Sequence, residues 1–222
     1  MKHRQPHWHS LDKRSLRTWQ MLKLRRYLGD TVLPFSAHYG ALFKEQGIDA
    51  NTLKDFSDLE RIPFTRKEDL LEGALDFVLQ PDERTLERRP SNILSALARG
   101  RGAVKEELER EFRPLMLTST TGRSAEPTPF LYTGHDIRTL EVAGARVMRV
   151  SGARREMRML NMFPFAPHLA FWQTHYAGTE FGVLMVSSGG GKGLGTEGNL
   201  RFIRKLDPDV LIGMPTFVYH VL

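Results

Sequence analysis

Cysteine is absent from all 222 residues. That excludes disulfides, thiolate metal sites and a cysteine nucleophile, and it fits a reducing compartment. Nowhere do 18 apolar residues run together, so no segment reads as a membrane-spanning helix. The opening MKHRQPHWHSLDKRS lacks the apolar stretch of a secretory leader. Together these absences predict a cytoplasmic protein. No Gly-x-Ser-x-Gly motif is present, so a serine-hydrolase elbow is excluded. His168 and His175 stand seven apart and one helix could align them, but no third ligand stands near, and a zinc site is rejected.

What is present is ordinary globular material: 41% hydrophobic and 26% charged residues. The net charge of +6 is unevenly placed. Residues 1–30 hold eight Lys/Arg against Asp12 and Asp30, and the remainder carries 24 of each sign. The excess therefore describes an N-terminal basic arm and not a basic body. Such an arm either contacts a polyanion or a membrane surface, or is simply a solvated helix. The spacing of Trp8, Trp19 and Tyr27 suits packing better than the stacking of single-strand binders.

The pattern predicts a helical region over 1–113, with the basic arm at 1–30, and an α/β subdomain over 114–222. Ser10 is expected to cap a first helix that ends before Gly29. A second helix is expected from Pro34 toward Gly47, with Phe35, Tyr39, Leu42 and Phe43 on one face. Thr65 and Glu68 have capping-box spacing. Residues 81–113 read as exposed helix and linker, broken at ARGRG 98–102. Beyond Arg113, strand candidates at 115–118, 157–163, 181–186 and 209–214 alternate with helices. That alternation predicts an α/β fold with a mostly parallel sheet and flanking helices. A helix opened at Thr216 has only six further residues, so the chain is expected to be a fragment, or to have its sheet completed by something else.

Three motifs could carry chemistry. Leu117-Thr-Ser-Thr-Thr-Gly-Arg-Ser-Ala-Glu-Pro-Thr128 empties a strand into hydroxyl residues, Gly122 and Arg123. Backbone amides and hydroxyls there can wrap phosphate oxygens, with Arg123 adding charge. The plainer alternative is a Ser/Thr-rich surface turn. Asn161-Met-Phe-Pro-Phe-Ala-Pro-His-Leu-Ala-Phe-Trp172 offers Phe165, His168 and Trp172 as pocket residues or as helix-start packing. Gly193–Gly198 fits G-x-G-x-x-G, the basis of a nicotinamide-oxidoreductase reading. Six residues separate it from Val186, and the next strand ends without an acidic residue for a ribose. Lys192 is followed by glycine, so it is no Walker loop. The span Ser188–Gly198 is expected to be a flexible surface loop.

The first motif resembles the phosphate-binding loop of the adenylate-forming (acyl-CoA synthetase-like) superfamily. Its surroundings resemble the phenylacetate–CoA ligase-like branch. The similar segments are Leu59–Leu70, Phe130–Ile137, Asn161–Ala166, Val186–Gly190 and Asp209–Thr216, in common order from about residue 50 onward. The loop departs from the family pattern. Its first glycine is missing between Ser119 and Thr120, and Pro127 lies five residues past Gly122 and not two.

The resemblance implies an incomplete, N-terminal portion of the large domain of an adenylate-forming enzyme. It implies an AMP-forming acid–thiol ligase using a small carboxylic acid, ATP, Mg2+ and CoA. It assigns Thr118, Ser119, Thr120, Thr121 and Gly122 to the pyrophosphate end of ATP, with Arg123 added from charge alone. Phe165 and His168 become substrate-pocket candidates. No catalytic or metal-ligating residue is assigned. The adenine-binding segment, the ribose-binding aspartate and the late lysine of the family have no counterparts in this sequence. The rival expectation is a catalytically inactive relative acting as a binding or scaffold module. A homodimer is left open.

Overall fold

The computed structural model describes residues 10–82, 86, 90–120, 127–165 and 167–222. The chain divides into two compact units, 1–101 and 102–222.

In the first unit, α1 spans Lys13–Tyr27. Its cap is Asp12 and not Ser10: the carboxylate accepts from the Arg14 amide at 2.9 Å and the Ser15 amide at 3.0 Å. A carboxylate also suits the positive end of the helix dipole, which a hydroxyl does not exploit. Gly29 does not end the helix. The chain passes through a wide π-type turn, Leu28–Val32, and a further turn, Leu33–Phe35. Val32 and Phe35 are buried there, so tertiary packing overrides the stop signal. Ser36 then breaks the run in an extended conformation. Its hydroxyl accepts from the Tyr39 amide at 3.2 Å and donates to the Asp76 carbonyl at 3.1 Å, opening α2 at Ala37–Glu45. Past its end, Gly47 takes φ +60°.

α3 covers Lys67–Gly73. Only the reciprocal half of a capping box forms, one residue on from the expected pair. Asp69 reaches back to the Arg66 amide at 2.6 Å, while the Thr65 hydroxyl is engaged by Tyr39 Oη at 3.0 Å. The core of this unit is Met21, Phe43, Ile48 and Leu53, with Leu53 fully buried. α4, Pro90–Arg99, ends at Gly100 (φ +86°), where the break at 98–102 was expected. Residues 87–89, the ERR of the expected linker, lie outside the described residues.

The second unit begins with α5, Arg101–Phe112. β1, Pro114–Ser119, pairs antiparallel with β2, Pro129–Thr133, placing Thr118 opposite Phe130 and Ser119 opposite Pro129. This hairpin differs from the expectation of sheet strands separated by helices. α6, Gly134–Val150, follows on a complete capping box: Thr133 Oγ1 accepts from the Asp136 amide, and Asp136 accepts from the Thr133 amide at 2.8 Å.

Three parallel strands form the expected sheet: β3 (Arg158–Asn161), β4 (Leu184–Ser187) and β5 (Val210–Ile212), in spatial order β4-β3-β5. α7, Leu169–Phe181, links β3 to β4, and α8, Gly195–Leu206, links β4 to β5. The expected strand start at Phe181 is instead the last turn of α7, stopped by Gly182 at φ +88°. α9, Pro215–Val221, opens where Thr216 predicted it. The usual right-handed crossover, taken from β3 to β4 and then in the opposite sense from β4 across to β5, predicts α7 and α8 on opposite faces of the sheet. Met159 and Leu160, adjacent on β3, are accordingly both buried, at 1% and 0% exposure. The core gathers Ala145, Met148, Met159, Ala177, Phe181 and Val183. α6 and α7 approach so closely at Gly144 that a Cβ there would lie 2.5 Å from Ala177 Cβ.

Candidate functional site

Because β4 and β5 flank β3 on opposite sides, the chain reverses direction across the sheet at β3. Ligands of open parallel sheets bind beyond the carboxyl ends at such a point. Three segments leave those ends here. They are Met162–His168 after β3, Ser188–Leu194 after β4, and Gly213–Met214 after β5.

Asn161 closes β3 and is fully buried. Its Nδ2 donates to the Phe171 carbonyl at 3.3 Å, and its Oδ1 accepts from the Phe163 amide at 3.1 Å. Its own carbonyl accepts from the Ser188 amide at 3.0 Å, joining the exits of β3 and β4. The exit of β4 is held in turn by a second buried pair. Ser188 Oγ donates to Asn199 Oδ1 at 2.6 Å, and Asn199 Nδ2 donates to the carbonyls of Gly190 (3.0 Å) and Gly195 (2.7 Å). Exposure is 2% at Ser188 and 0% at Asn199.

The glycine-rich span is therefore not the flexible surface loop expected from composition. Gly190–Gly193 form one helical turn, and α8 begins at Gly195. The glycines answer steric demands. Gly189 and Gly190 take φ +70° and +63°. A Cβ on Gly189 would overlap the Phe165 ring, and one on Gly190 would overlap the Met162 carbonyl. A Cβ on Gly191 would stand 2.9 Å from the Phe217 ring. Neither Asn161 nor the Ser188–Asn199 pair was singled out as a site residue from sequence. Their only signal was polar residues bracketing glycines after apolar strands.

Thr118, Ser119 and Thr120, the described part of the hydroxyl-rich segment, lie at the connecting end of the β1–β2 pair. Thr118 is buried at 2% exposure, its hydroxyl 3.4 Å from Tyr132 Oη. The Thr120 amide donates to the Thr128 carbonyl at 3.2 Å, and Thr120 Oγ1 accepts from the Thr128 amide at 3.1 Å, so the hairpin is pinned at this pair. The Ser119 amide donates to the Pro167 carbonyl at 3.1 Å. That bond ties the phosphate-loop candidates to the segment bearing Phe165 and His168. Thr121, Gly122 and Arg123 lie outside the described residues.

Phe165 is 47% exposed, with its ring edge-on to Phe171 at 5.0 Å. His168 precedes α7 at the cap position, half-buried, and its side chain makes no capping bond. Trp172 stacks on Tyr176 at 6.0 Å, and Tyr176 Oη lies 3.8 Å from Met116 Sδ. Burial, then the nearby Glu141 carboxylate, pushes the Tyr176 phenol above its ordinary pKa. His175 stacks on Phe171. Among the described residues no three His, Cys, Asp or Glu side chains gather as a metal site, and no helix is long and apolar enough to cross a membrane.

No family model matches the chain. It is 26% identical over 216 residues to a phenylacetate–coenzyme A ligase of Thermus thermophilus, which covers 96% of this chain and 41% of the relative. It is 25% identical over 185 residues to the enzyme of the same name from Aromatoleum evansii, covering 83% and 35%. The chain thus spans about two-fifths of the length of the curated relatives it matches. Among solved structures, 2-hydroxyisobutyryl-CoA ligase with 2-HIB-AMP and CoA superposes with a TM-score of 0.72 at 18% identity, covering 93% of this chain and 39% of that one. The same ligase in its postadenylation state with 2-HIB-AMP gives 0.71 at 19% identity. These likenesses show a shared fold.

Proposed function

Because the chain is related over nearly its whole length to the phenylacetate–CoA ligase-like branch of the adenylate-forming superfamily, as a portion of it, we propose that it supplies the phosphate-loop and acyl-pocket part of an AMP-forming carboxylate–CoA ligase. In the reaction, a carboxylate oxygen attacks the α-phosphorus of ATP, forming acyl-AMP and releasing pyrophosphate. The CoA thiol then attacks the acyl carbon, forming the thioester and releasing AMP. ATP enters as its Mg2+ complex, and a cytoplasmic location belongs to the same reading.

The observation that carries this reading is the Ser119-to-Pro167 hydrogen bond at 3.1 Å. It fixes the strand that feeds the hydroxyl-rich loop beside the segment that presents Phe165. In this reading the phosphate donors of the loop and an apolar wall at Phe165 converge beyond the carboxyl ends of the sheet, as joining a nucleotide to an acid requires. In this assignment the Ser119 and Thr120 hydroxyls, the amides and hydroxyl of Thr121 and Gly122, and Arg123 offset charge on the departing pyrophosphate. Phe165 and His168 face the acid. The glycine turn Gly189–Gly191, lacking side chains, lets the Phe165 ring pack directly against it.

One observation favours the scaffold alternative. The Thr118 hydroxyl is buried against Tyr132, and the Ser119 and Thr120 amides already donate to the Pro167 and Thr128 carbonyls, so these donors are engaged within the fold. The phosphate contacts then rest on the Ser119 and Thr120 hydroxyls and on Thr121 to Arg123. The experiment that separates the readings is titration of this chain with ATP and with a phenylacetyl-sulfamoyl adenosine, alongside carboxylate-dependent ATP–pyrophosphate exchange. Saturable binding of the adenylate analogue supports the ligase portion. Binding of neither compound, with no exchange on aromatic or aliphatic acids, leaves the scaffold reading.

A further inference from the structure

The Phe165 ring is wedged between the start of α7 and the turn that leaves β4. On one side it meets Phe171 edge-on, with centroids 5.0 Å apart, and Phe171 is itself buried at 6% exposure. On the other side it lies directly on the glycines. A Cβ on Gly189 would overlap the ring, and one on Gly193 would stand 3.5 Å from Phe165 Cε2. Farther along the turn Phe217 packs in the same way, with its Cε2 2.9 Å from where a Gly191 Cβ would be.

An aromatic tail on a substrate needs a flat slot between apolar walls, with other ring edges or faces against it. The turn and Phe171 bound a slot of that kind: the glycines put no side chain into it, and Phe171 closes it with an aromatic ring. The ring that fills it is the protein's own. Interiors pack too densely for a second ring to share the space. What Phe165 offers a ligand is its outer surface, since the residue is 47% exposed. An aryl tail stacked on that surface stays largely in water, whereas a short aliphatic tail rests on it without needing a slot.

Resting on the ligase reading, we propose that Phe165 determines the acid specificity of this chain. Its ring occupies the position an aryl group would take, and the acid is a short aliphatic one. Phe165 acts here by filling space and takes no part in the transfer of the nucleotide.

The test is calorimetric titration of the full chain with propionyl-sulfamoyl adenosine and with phenylacetyl-sulfamoyl adenosine, which share the nucleotide and differ in the tail. The parent is expected to bind the propionyl compound at least about tenfold more tightly. Phe165→Ala vacates a ring-sized apolar space against Gly189, Gly193 and Phe171, of the kind that takes up aromatic molecules. It should reverse the preference, and Phe165→Leu, which removes less, should give an intermediate ratio. Far-UV circular dichroism checks that the variants are folded. The ratio of the two affinities is the readout, because a general loss of nucleotide contact lowers both and leaves it unmoved. Equal or tighter binding of the phenylacetyl compound by the parent, or one ratio shared by parent and variants, would overturn the role of Phe165 while the ligase reading stands. Binding of neither compound would overturn both.

Discussion

Ser188 Oγ and Asn199 Oδ1 meet at 2.6 Å in the interior, across the glycine turn that leaves β4. No solvent reaches Asn199, whose amide also serves two backbone carbonyls. Replacing it with leucine removes its bonds to the Gly190 and Gly195 carbonyls and leaves the buried Ser188 hydroxyl without its acceptor, which costs about 2–4 kcal/mol in all. Ser188→Ala, which removes the donor to Asn199 and the weaker acceptor of the Gly190 amide, should cost about 1–2 kcal/mol. Urea unfolding of the two variants checks the order. Asn199→Leu as stable as the parent would mean that the turn is held by its glycine packing alone.

Gly144 faces Ala177 where α6 crosses α7. A Cβ at Gly144 would stand 2.5 Å from Ala177 Cβ, 2.8 Å from its Cα and 2.9 Å from Gln173 Nε2. Backbone on one side gives little room to yield, so Gly144→Ala is expected to destabilise by about 1–3 kcal/mol despite alanine's better helix propensity. Thermal melting reads this as a lowered Tm. A raised Tm would show that helix propensity outweighs the contact.

The hydrogen bond from the Arg158 amide, then the Arg158 guanidinium, hold the Asp209 carboxyl below its ordinary pKa. A depressed carboxylate stabilises the fold at every pH above its unfolded value, about 3.9. That contribution fades as pH falls from there through the folded value. The stability gap between the parent and Asp209→Asn should therefore be constant from pH 8 to about 5 and shrink below about 4. Denaturant midpoints measured across that range check the sign. A gap that widens in acid would refute it.

Thr121→Ala tests the proposed phosphate role of the segment that follows Thr120. Loss of one hydroxyl contact to phosphate should weaken ATP binding about tenfold, since hydrogen bonds to charged groups contribute about 1.5–3 kcal/mol. Calorimetric titration measures it. Unchanged affinity would make the segment a turn only.

The architecture was legible wherever periodicity and local chemistry agreed. The α/β alternation after Arg113 and the break at Gly100 follow from residues that act on their immediate neighbours. The errors lie where distant contacts decide. Gly29 reads as a stop, but burial of Val32 and Phe35 carries the helical run past it. Thr65 reads as a cap, but Tyr39, far along the chain, takes its hydroxyl. Composition made Ser188–Gly198 look mobile. Only the packing of Phe165 and Phe217 against it explains why those glycines are ordered. The same holds for the site. Hydroxyl-rich sequence pointed to Thr118, Ser119 and Thr120, whereas which hydroxyls are already engaged is a property of the β1–β2 pairing.

The strand order also sets a timetable for synthesis. β3 is the middle strand, yet its second neighbour emerges late: the bond from Arg158 to Asp209 spans 51 positions. At about 5–20 residues per second, a growing chain carries β3 with one bare margin for several seconds. During that interval the nascent protein is most exposed to self-association and most in need of a chaperone.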